Sequence, residues 1–264
     1  MTAEFIETMN ERDYHAINRL SSTNVRRLLR SPAHYLEGLK ESRDSSETLR
    51  LGSAIHAGLL EPETFSSRYV IAPKVDRRTK AGKDAWAEFS NANPGKGYIS
   101  AEDAYLIEQM RISLHAHPLG ARAFTGGTAE LTALWDVEDQ PCKARFDYLK
   151  RARGVGFDLK STCDASHDGF ARSIAQYGYH IQAAWYAIGY KVVTGEDLKD
   201  FIFVAIEKTP PYAVAVYRIE DYSLEEGKRK CLIAIDTLKK CLDENYWPGY
   251  SESLESIKLP AWAF

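Results

Sequence analysis

Apolar side chains first recur at helical spacing between Ser21 and Lys40. Val25, Leu28 and Leu29 form a stripe there that Ser31-Pro32 interrupts, which predicts two short helices with a break. Residues 41 to 49 are polar and turn-rich, and Leu51, Ile55, Leu59 and Leu60 then mark a helix that carries His56 and ends at Pro62. Residues 73 to 98 are charged and contain Pro73, Gly82, Pro94, Gly95 and Gly97, so a mobile loop with a short helix around Lys83 to Phe89 is expected. Ser100 and Asp103 make an S-x-x-D capping pattern ahead of Tyr105, Ile107, Met110 and Leu114, predicting a helix from Ala101 to about His115.

The pattern then changes period. Three β-rich runs near 130 to 137, 142 to 149 and 155 to 161 are separated by short polar or glycine-containing turns, the signature of an antiparallel meander. One amphipathic helix is expected from about Ser166 to Val193, closed by Thr194-Gly195. Two more strands, Phe201 to Glu207 and Ala213 to Ile219, are divided by Pro210-Pro211, and a final helix runs from about Leu224 to Leu242. The class is mixed α/β, with no repeats or low-complexity tracts.

Composition narrows the setting. With 264 residues and 44% hydrophobic content the chain can bury a full core, as one large domain or as a core with a helical extension. Neither terminus carries a basic segment followed by an apolar stretch. The longest dense apolar runs, such as Phe201 to Ile206, are too short to span a bilayer, so a cytoplasmic protein without membrane contact is expected. Cys142, Cys163, Cys231 and Cys241 form no C-x-x-C pair and read as reduced, structural thiols. A net charge of -3 demands no nucleic-acid partner, so any such contact must come from local basic patches. These are Arg26, Arg27 and Arg30; Arg77, Arg78, Lys80 and Lys83; and Lys150, Arg151 and Arg153.

The chemistry concentrates on the third predicted strand. In Asp158-Leu159-Lys160 the carboxylate and the ammonium project to one face while Leu159 points to the other. With the hairpin turn at Arg151 to Gly154, unbulged pairing puts Asp147 opposite Asp158, about 5 Å apart at Cβ. Two facing carboxylates repel unless a hard divalent cation lies between them, which for magnesium means oxygen ligands at about 2.1 Å. A lysine two residues on suits phosphodiester hydrolysis, because it can steady an attacking water or the charge growing on a phosphate. The same pairing sets Arg145 against Lys160, a like-charge contact that a phosphate would relieve. Gln182 and Tyr186 lie one turn apart on the helix that follows.

Asp147, Asp158-Leu159-Lys160 and Gln182-x-x-x-Tyr186 together resemble the PD-(D/E)XK nuclease signature of the RecB-like branch. Gly52-x-x-x-His56 resembles that branch's upstream histidine motif, and Ser21-x-Thr23-x-Val25 with Ser31-Pro32-x-x-Tyr35 resembles its N-terminal element. Within the branch, the likeness is to RecE-type exonucleases. Leu51 to Phe65, Ile71 to Pro73, Arg77 to Lys83, Cys142 to Asp147 and Leu259 to Trp262 carry it across nearly the whole chain. Phe146 stands where the motif has its proline, and the cysteines lack the spacing of the iron–sulfur cluster found in some relatives.

The resemblance implies a central mixed sheet flanked by helices as the nuclease core over 121 to 264, with a mainly helical part over 1 to 120 that carries His56. It implies that His56, Asp147, Asp158 and the Leu159 carbonyl hold magnesium or manganese and that Lys160 assists the attacking water. Gln182 and Tyr186 would support the site, and Glu130 would act through a second ion or a water. It further implies a 5′ to 3′ exonuclease acting on double-stranded DNA ends and leaving a 3′ overhang for recombination. A ring-shaped homotetramer, a RecT-like single-strand annealing partner and a phage setting follow from the same likeness. Arg145, Arg77, Arg78, Lys80 and Lys83 are candidate backbone contacts, and Arg26, Arg27 or Arg30 would meet a terminal phosphate. An endonuclease or opposite-polarity nuclease on the same core is the alternative, and a catalytically silent DNA-binding scaffold is disfavoured because every expected site residue is present.

Overall fold

The computed structural model describes residues 3–40 and 47–260. The chain opens with β1 (Glu4–Ile6), α1 (Glu11–Ala16), α2 (Ser22–Arg30) and α3 (Pro32–Gly38), then α4 (Glu47–Leu60), α5 (Pro62–Arg68) and β2 (Tyr69–Ile71). It continues through α6 (Lys80–Ala92), β3 (Gly97–Ile99), α7 (Ala101–Ala116) and α8 (Gly120–Ala123) to the meander β4 (Thr128–Val137), β5 (Gln140–Lys150) and β6 (Val155–Thr162). α9 (His167–Tyr177), α10 (Tyr179–Thr194), β7 (Asp200–Glu207), β8 (Val214–Arg218) and α11 (Asp221–Glu244) complete it.

The main sheet has the order β1-β4-β5-β6-β7-β8, antiparallel throughout except that β6 and β7 run parallel. Side-chain alternation feeds two cores, one on each face. Leu131, Trp135, Phe146, Phe201 and Phe203 pack with Val25 of α2, Trp185 of α10 and Cys231 of α11. Leu159, Val204 and Ile206 pack on the opposite face with Ile55 of α4 and Ile107 and Met110 of α7. The result is a central mixed sheet between two helical layers. Among the described residues no helix is long and apolar enough to cross a membrane.

Several expectations need correction. The expected loop over 73 to 98 holds a 13-residue helix, α6, capped by Thr79, and the short parallel pair β2 and β3 borders it. Gly82 does not break α6, because the glycine is there for close approach: a Cβ at that position would sit 2.0 Å from the Asp76 carbonyl oxygen. The single helix expected from 166 to 193 is two, α9 and α10, divided by Gly178 in the left-handed conformation at φ 66°. A side chain there would be strained and would meet Arg26 Cδ at 2.9 Å. Of the polar turn expected over 41 to 49, residues 41–46 lie outside the described residues and the remainder opens α4. Trp262 of the quoted C-terminal similarity also lies outside them.

Candidate active site

The β5–β6 hairpin follows the register that its turn imposes, with Tyr148 opposite Phe157 and Leu149 opposite Gly156. Tyr148–Phe157 is the last pair of that ladder, so the aspartates next along each strand stand where the strands have parted. Asp147 Oδ2 instead accepts the Leu159 backbone N–H at 2.8 Å. A strand residue's N–H and C=O point to the same edge, so the Leu159 carbonyl is directed into the same opening. The like-charge contact expected between Arg145 and Lys160 does not form. Arg145 is paired with Thr132 on β4, and its Nε donates to Glu130 Oε2 at 2.6 Å.

Glu130 sits within β4 at φ 51°, in a region that glutamate rarely occupies. Alternation breaks at this level on both strands. Leu131 and Phe146 belong to the core under α10, whereas Ala129 and Tyr148 pack with the core under α7. The kink re-aims Glu130 and Asp147 toward one another's surroundings, and burial together with the Asp147 charge raises the Glu130 pKa. Backbone strain of this kind persists only where surrounding structure enforces it.

Asp158 is fully buried and held from two sides. Lys160 Nζ lies 2.5 Å from its Oδ2, and Gln182 Nε2 donates to its Oδ1 at 2.7 Å. Gln182 Oε1 in turn accepts from Lys160 at 3.1 Å, and Tyr186 OH stands 3.4 Å from Gln182 Nε2. Gln182 thus bridges acid and base from one turn of α10. Burial opposes the Lys160 charge, but Asp158 and Asp147 more than offset it and raise the lysine pKa. Burial, then the nearby Asp158 charge, pushes the Asp147 carboxyl up to about 8. Burial also takes the Tyr186 hydroxyl well above its ordinary range.

His56 arrives from α4 in the other helical layer, and its Nδ1 lies 3.6 Å from Asp147 Oδ2. Burial lowers its pKa, more than Glu130 raises it, which favours the neutral imidazole that a metal needs. One turn earlier, a Cβ on Gly52 would meet nothing within 4 Å, so that glycine leaves open the surface beside His56.

The donor set fits a hard divalent ion in kind: carboxylates, a backbone carbonyl and a neutral imidazole around the Asp147 carboxyl, whose pKa burial and the neighbouring Asp158 charge raise. Asp158 Oδ2 is buried without a hydrogen-bond donor of good geometry, its one close partner being the Lys160 ammonium. Among the described residues, no three histidine, cysteine, aspartate or glutamate side chains already stand at metal-ligating spacing. Asp158 is turned toward Lys160 and Gln182 rather than toward His56.

The remaining candidates divide. Arg26, Arg27 and Arg30 line a cleft of about 460 Å³ between α2 and the α9–α10 joint, with Tyr177, His180 and Lys230. Arg26 donates to the Tyr177 carbonyl at 2.5 Å, Arg27 to that of Gly38 at 2.7 Å, and Arg30 to Tyr250 OH at 3.0 Å. The contacts of the second patch are local: Arg78 is bound to Asp76, Arg77 lies over the Trp86 ring, and Lys80 and Lys83 are exposed on α6. His180 is engaged by the Ile174 carbonyl and Lys230.

Three neighbours were not singled out by the sequence. Glu11 of α1 accepts from Ser53 on the His56 helix at 3.3 Å, Tyr14 lies 5.8 Å from the Arg145 guanidinium, and the Tyr179 ring lies 4.6 Å from Lys160 Nζ. The pairing of β1 with β4, through Phe5 and Ala133, and the Lys143 ammonium, which donates to the Tyr14 and Ile17 carbonyls, hold α1 at this place, and neither leaves a periodicity to read.

Residues 21–260 match the PDDEXK-like domain of unknown function (DUF3799). A crystal structure from Eubacterium rectale, provisionally described as an exonuclease, superposes with a TM-score of 0.65 at 15% identity, covering 96% of each chain. A phage-related exonuclease from Haemophilus somnus matches at a TM-score of 0.40 and 10% identity, over 86% of this chain and 96% of that one. No curated protein gives a significant match. PD-(D/E)XK nucleases generally depend on divalent metals. The match over 21–260 and the strand-borne Asp147, Asp158 and Lys160 agree: the chain belongs to the PDDEXK-like family and is a nuclease of the PD-(D/E)XK kind.

Proposed function

We propose that the chain is a magnesium-dependent, RecE-type exonuclease that degrades one strand of a double-stranded DNA end in the 5′ to 3′ direction, leaving a 3′ overhang for recombination. The observation that carries the hydrolytic part is the approach of His56 to Asp147 beside the Asp158–Lys160–Gln182 network. His56, Asp147, Asp158 and the Leu159 carbonyl would hold the ion once Asp158 turns from Lys160. When bound, the ion supplies Lewis acidity toward a phosphoryl oxygen and favours ionisation of water.

The chain's own groups do the rest. Lys160 carries a firmly held proton and presents it where negative charge grows on the phosphate, while Gln182, backed by Tyr186, steadies the ammonium. Arg145 fixes Glu130 beside Asp147, so Glu130 can orient a water. Arg26, Arg27 and Arg30 would receive the terminal phosphate in the adjoining cleft, and Arg77, Arg78, Lys80 and Lys83 would follow the backbone. Polarity, the duplex substrate, the homotetrameric ring and a RecT-like partner are supported by the RecE resemblance alone.

A time course on linear duplexes labelled at either the 5′ or the 3′ end, beside a covalently closed circle, tests this reading. Early loss of the 5′ label with intact circles is expected. Nicked circles would make it an endonuclease, early 3′ loss would reverse the polarity, and undiminished cutting by Asp158→Ala would remove the assigned centre.

A further inference from the structure

Two tyrosines flank Gly178 at the mouth of the centre, and neither has a part in the reading above. Tyr179 lies against Lys160, its ring centroid 4.6 Å from Nζ, and is anchored behind by Phe170 and Phe203 at 6.2 and 6.0 Å. Tyr177 follows as a second step, its centroid 5.6 Å from that of Tyr179 and the planes inclined by 30°. Tyr177 is 50% exposed.

An exposed tyrosine at a helix end is ordinarily unremarked surface. This one is built in place. Gly178 turns the chain in the left-handed conformation so that the rings on either side of it meet, and Arg26 holds the turn by donating to the Tyr177 carbonyl. Tyr177 also lines the cleft that carries Arg26, Arg30 and Lys230. An ordered aromatic face thus stands between a lysine poised for phosphate and a cationic cleft. Aromatic side chains in such grooves bind bases by stacking, without regard to sequence, because every base offers a π face.

We propose that Tyr177, backed by Tyr179, is the stacking platform for the base of the nucleotide at the cleavage point. It would hold that base out of the duplex stack while the attached phosphate reaches Lys160. The inference rests on the nuclease reading of the same centre. By the successive steps of 4.6 and 5.6 Å the Tyr177 ring lies within about 10 Å of Lys160 Nζ, so one nucleotide can reach the lysine with its phosphate and the ring with its base. Because stacking needs the ring and not its hydroxyl, phenylalanine should serve.

The test crosses two changes. Wild type, Tyr177→Ala and Tyr177→Phe act on an oligonucleotide duplex whose nucleotide at the cleavage point is intact or abasic. Tyr177→Ala should lower kcat/KM on the intact substrate about 10- to 100-fold, while Tyr177→Phe stays within about threefold of wild type. Wild type should lose a similar factor on the abasic substrate, and Tyr177→Ala should lose nothing further. Independent, multiplying losses, or full activity in Tyr177→Ala, would overturn the platform. If the wild-type protein cuts neither substrate, the nuclease reading fails instead. Anisotropy of labelled intact and abasic single strands in calcium then decides the platform: it stands if wild type favours the intact strand and Tyr177→Ala does not, and falls if the two proteins bind both strands alike.

Discussion

Replacing Lys160 by methionine separates what this lysine does for the fold from what it does for catalysis. Its ammonium lies 2.5 Å from an oxygen of Asp158, a carboxylate with no solvent exposure, and its own side chain is only 15% exposed. Without it, Gln182 remains as a 2.7 Å donor to the buried carboxylate. Breaking one half of a buried pair costs about 3–5 kcal/mol, against about 5–15 kcal/mol for the whole of a domain's stability. For a chain of this size the melting temperature should fall by roughly 10 °C. Lys160→Met combined with Asp158→Asn removes both charges and should recover most of that loss, since apolar or neutral replacement of a buried pair is often nearly neutral. Activity should not recover in either variant, and Lys160→Met alone should lose about 100-fold or more in rate, equivalent to about 3 kcal/mol. Calorimetry gives the first comparison and single-turnover cleavage the second. A single variant that melts with wild type and keeps its turnover, or a double variant no more stable than the single, would refute the reasoning.

Three further outcomes follow from particular contacts. Calcium should support DNA binding with little hydrolysis, because its larger and looser shell positions a water poorly; equal rates in calcium and magnesium would contradict this. Burial holds the Cys142 and Cys231 thiols up at about 12 and raises that of Cys241, so all three stay protonated near pH 8. Cys163 is exposed, so native protein should show one fast-reacting thiol and mass mapping should place it there; rapid labelling of Cys142 or Cys231 would contradict that burial. Gly189→Ala would set a Cβ 2.7–3.0 Å from three ring atoms of the buried Trp135, which Trp185 backs at 5.3 Å. Overpacking of about 1–3 kcal/mol should outweigh the gain of about 1 kcal/mol in helix propensity, and unchanged or improved stability in urea would show that the ring yields.

What the sequence disclosed depended on whether local rules sufficed. The turn at Arg151 to Gly154 set the β5–β6 register, and alternation put Asp158 and Lys160 on one face with Leu159 in the opposite core. The Ser100–Asp103 capping box formed as its spacing demands. Gly178 was not legible as a break, because the apolar stripe continues through it and only the neighbouring Arg26 reveals why the joint is tight. The Tyr179–Lys160 contact depends on that joint and was hidden with it. Pairing rules set Arg145 against Lys160 because they assume that a ladder continues, whereas this one stops at Tyr148–Phe157. The positive φ of Glu130 has no local signature either, since nothing in its neighbours requires a kink.

The claim on which most depends is that His56 and the paired aspartates share one ion. Manganese bound to wild type, His56→Ala and Asp147→Asn, followed by electron paramagnetic resonance without DNA, addresses it without reference to turnover. A manganese site in the wild-type protein, weakened tenfold or more by either substitution, is the predicted result. Equal affinity in all three proteins would place the ion elsewhere and contradict the account.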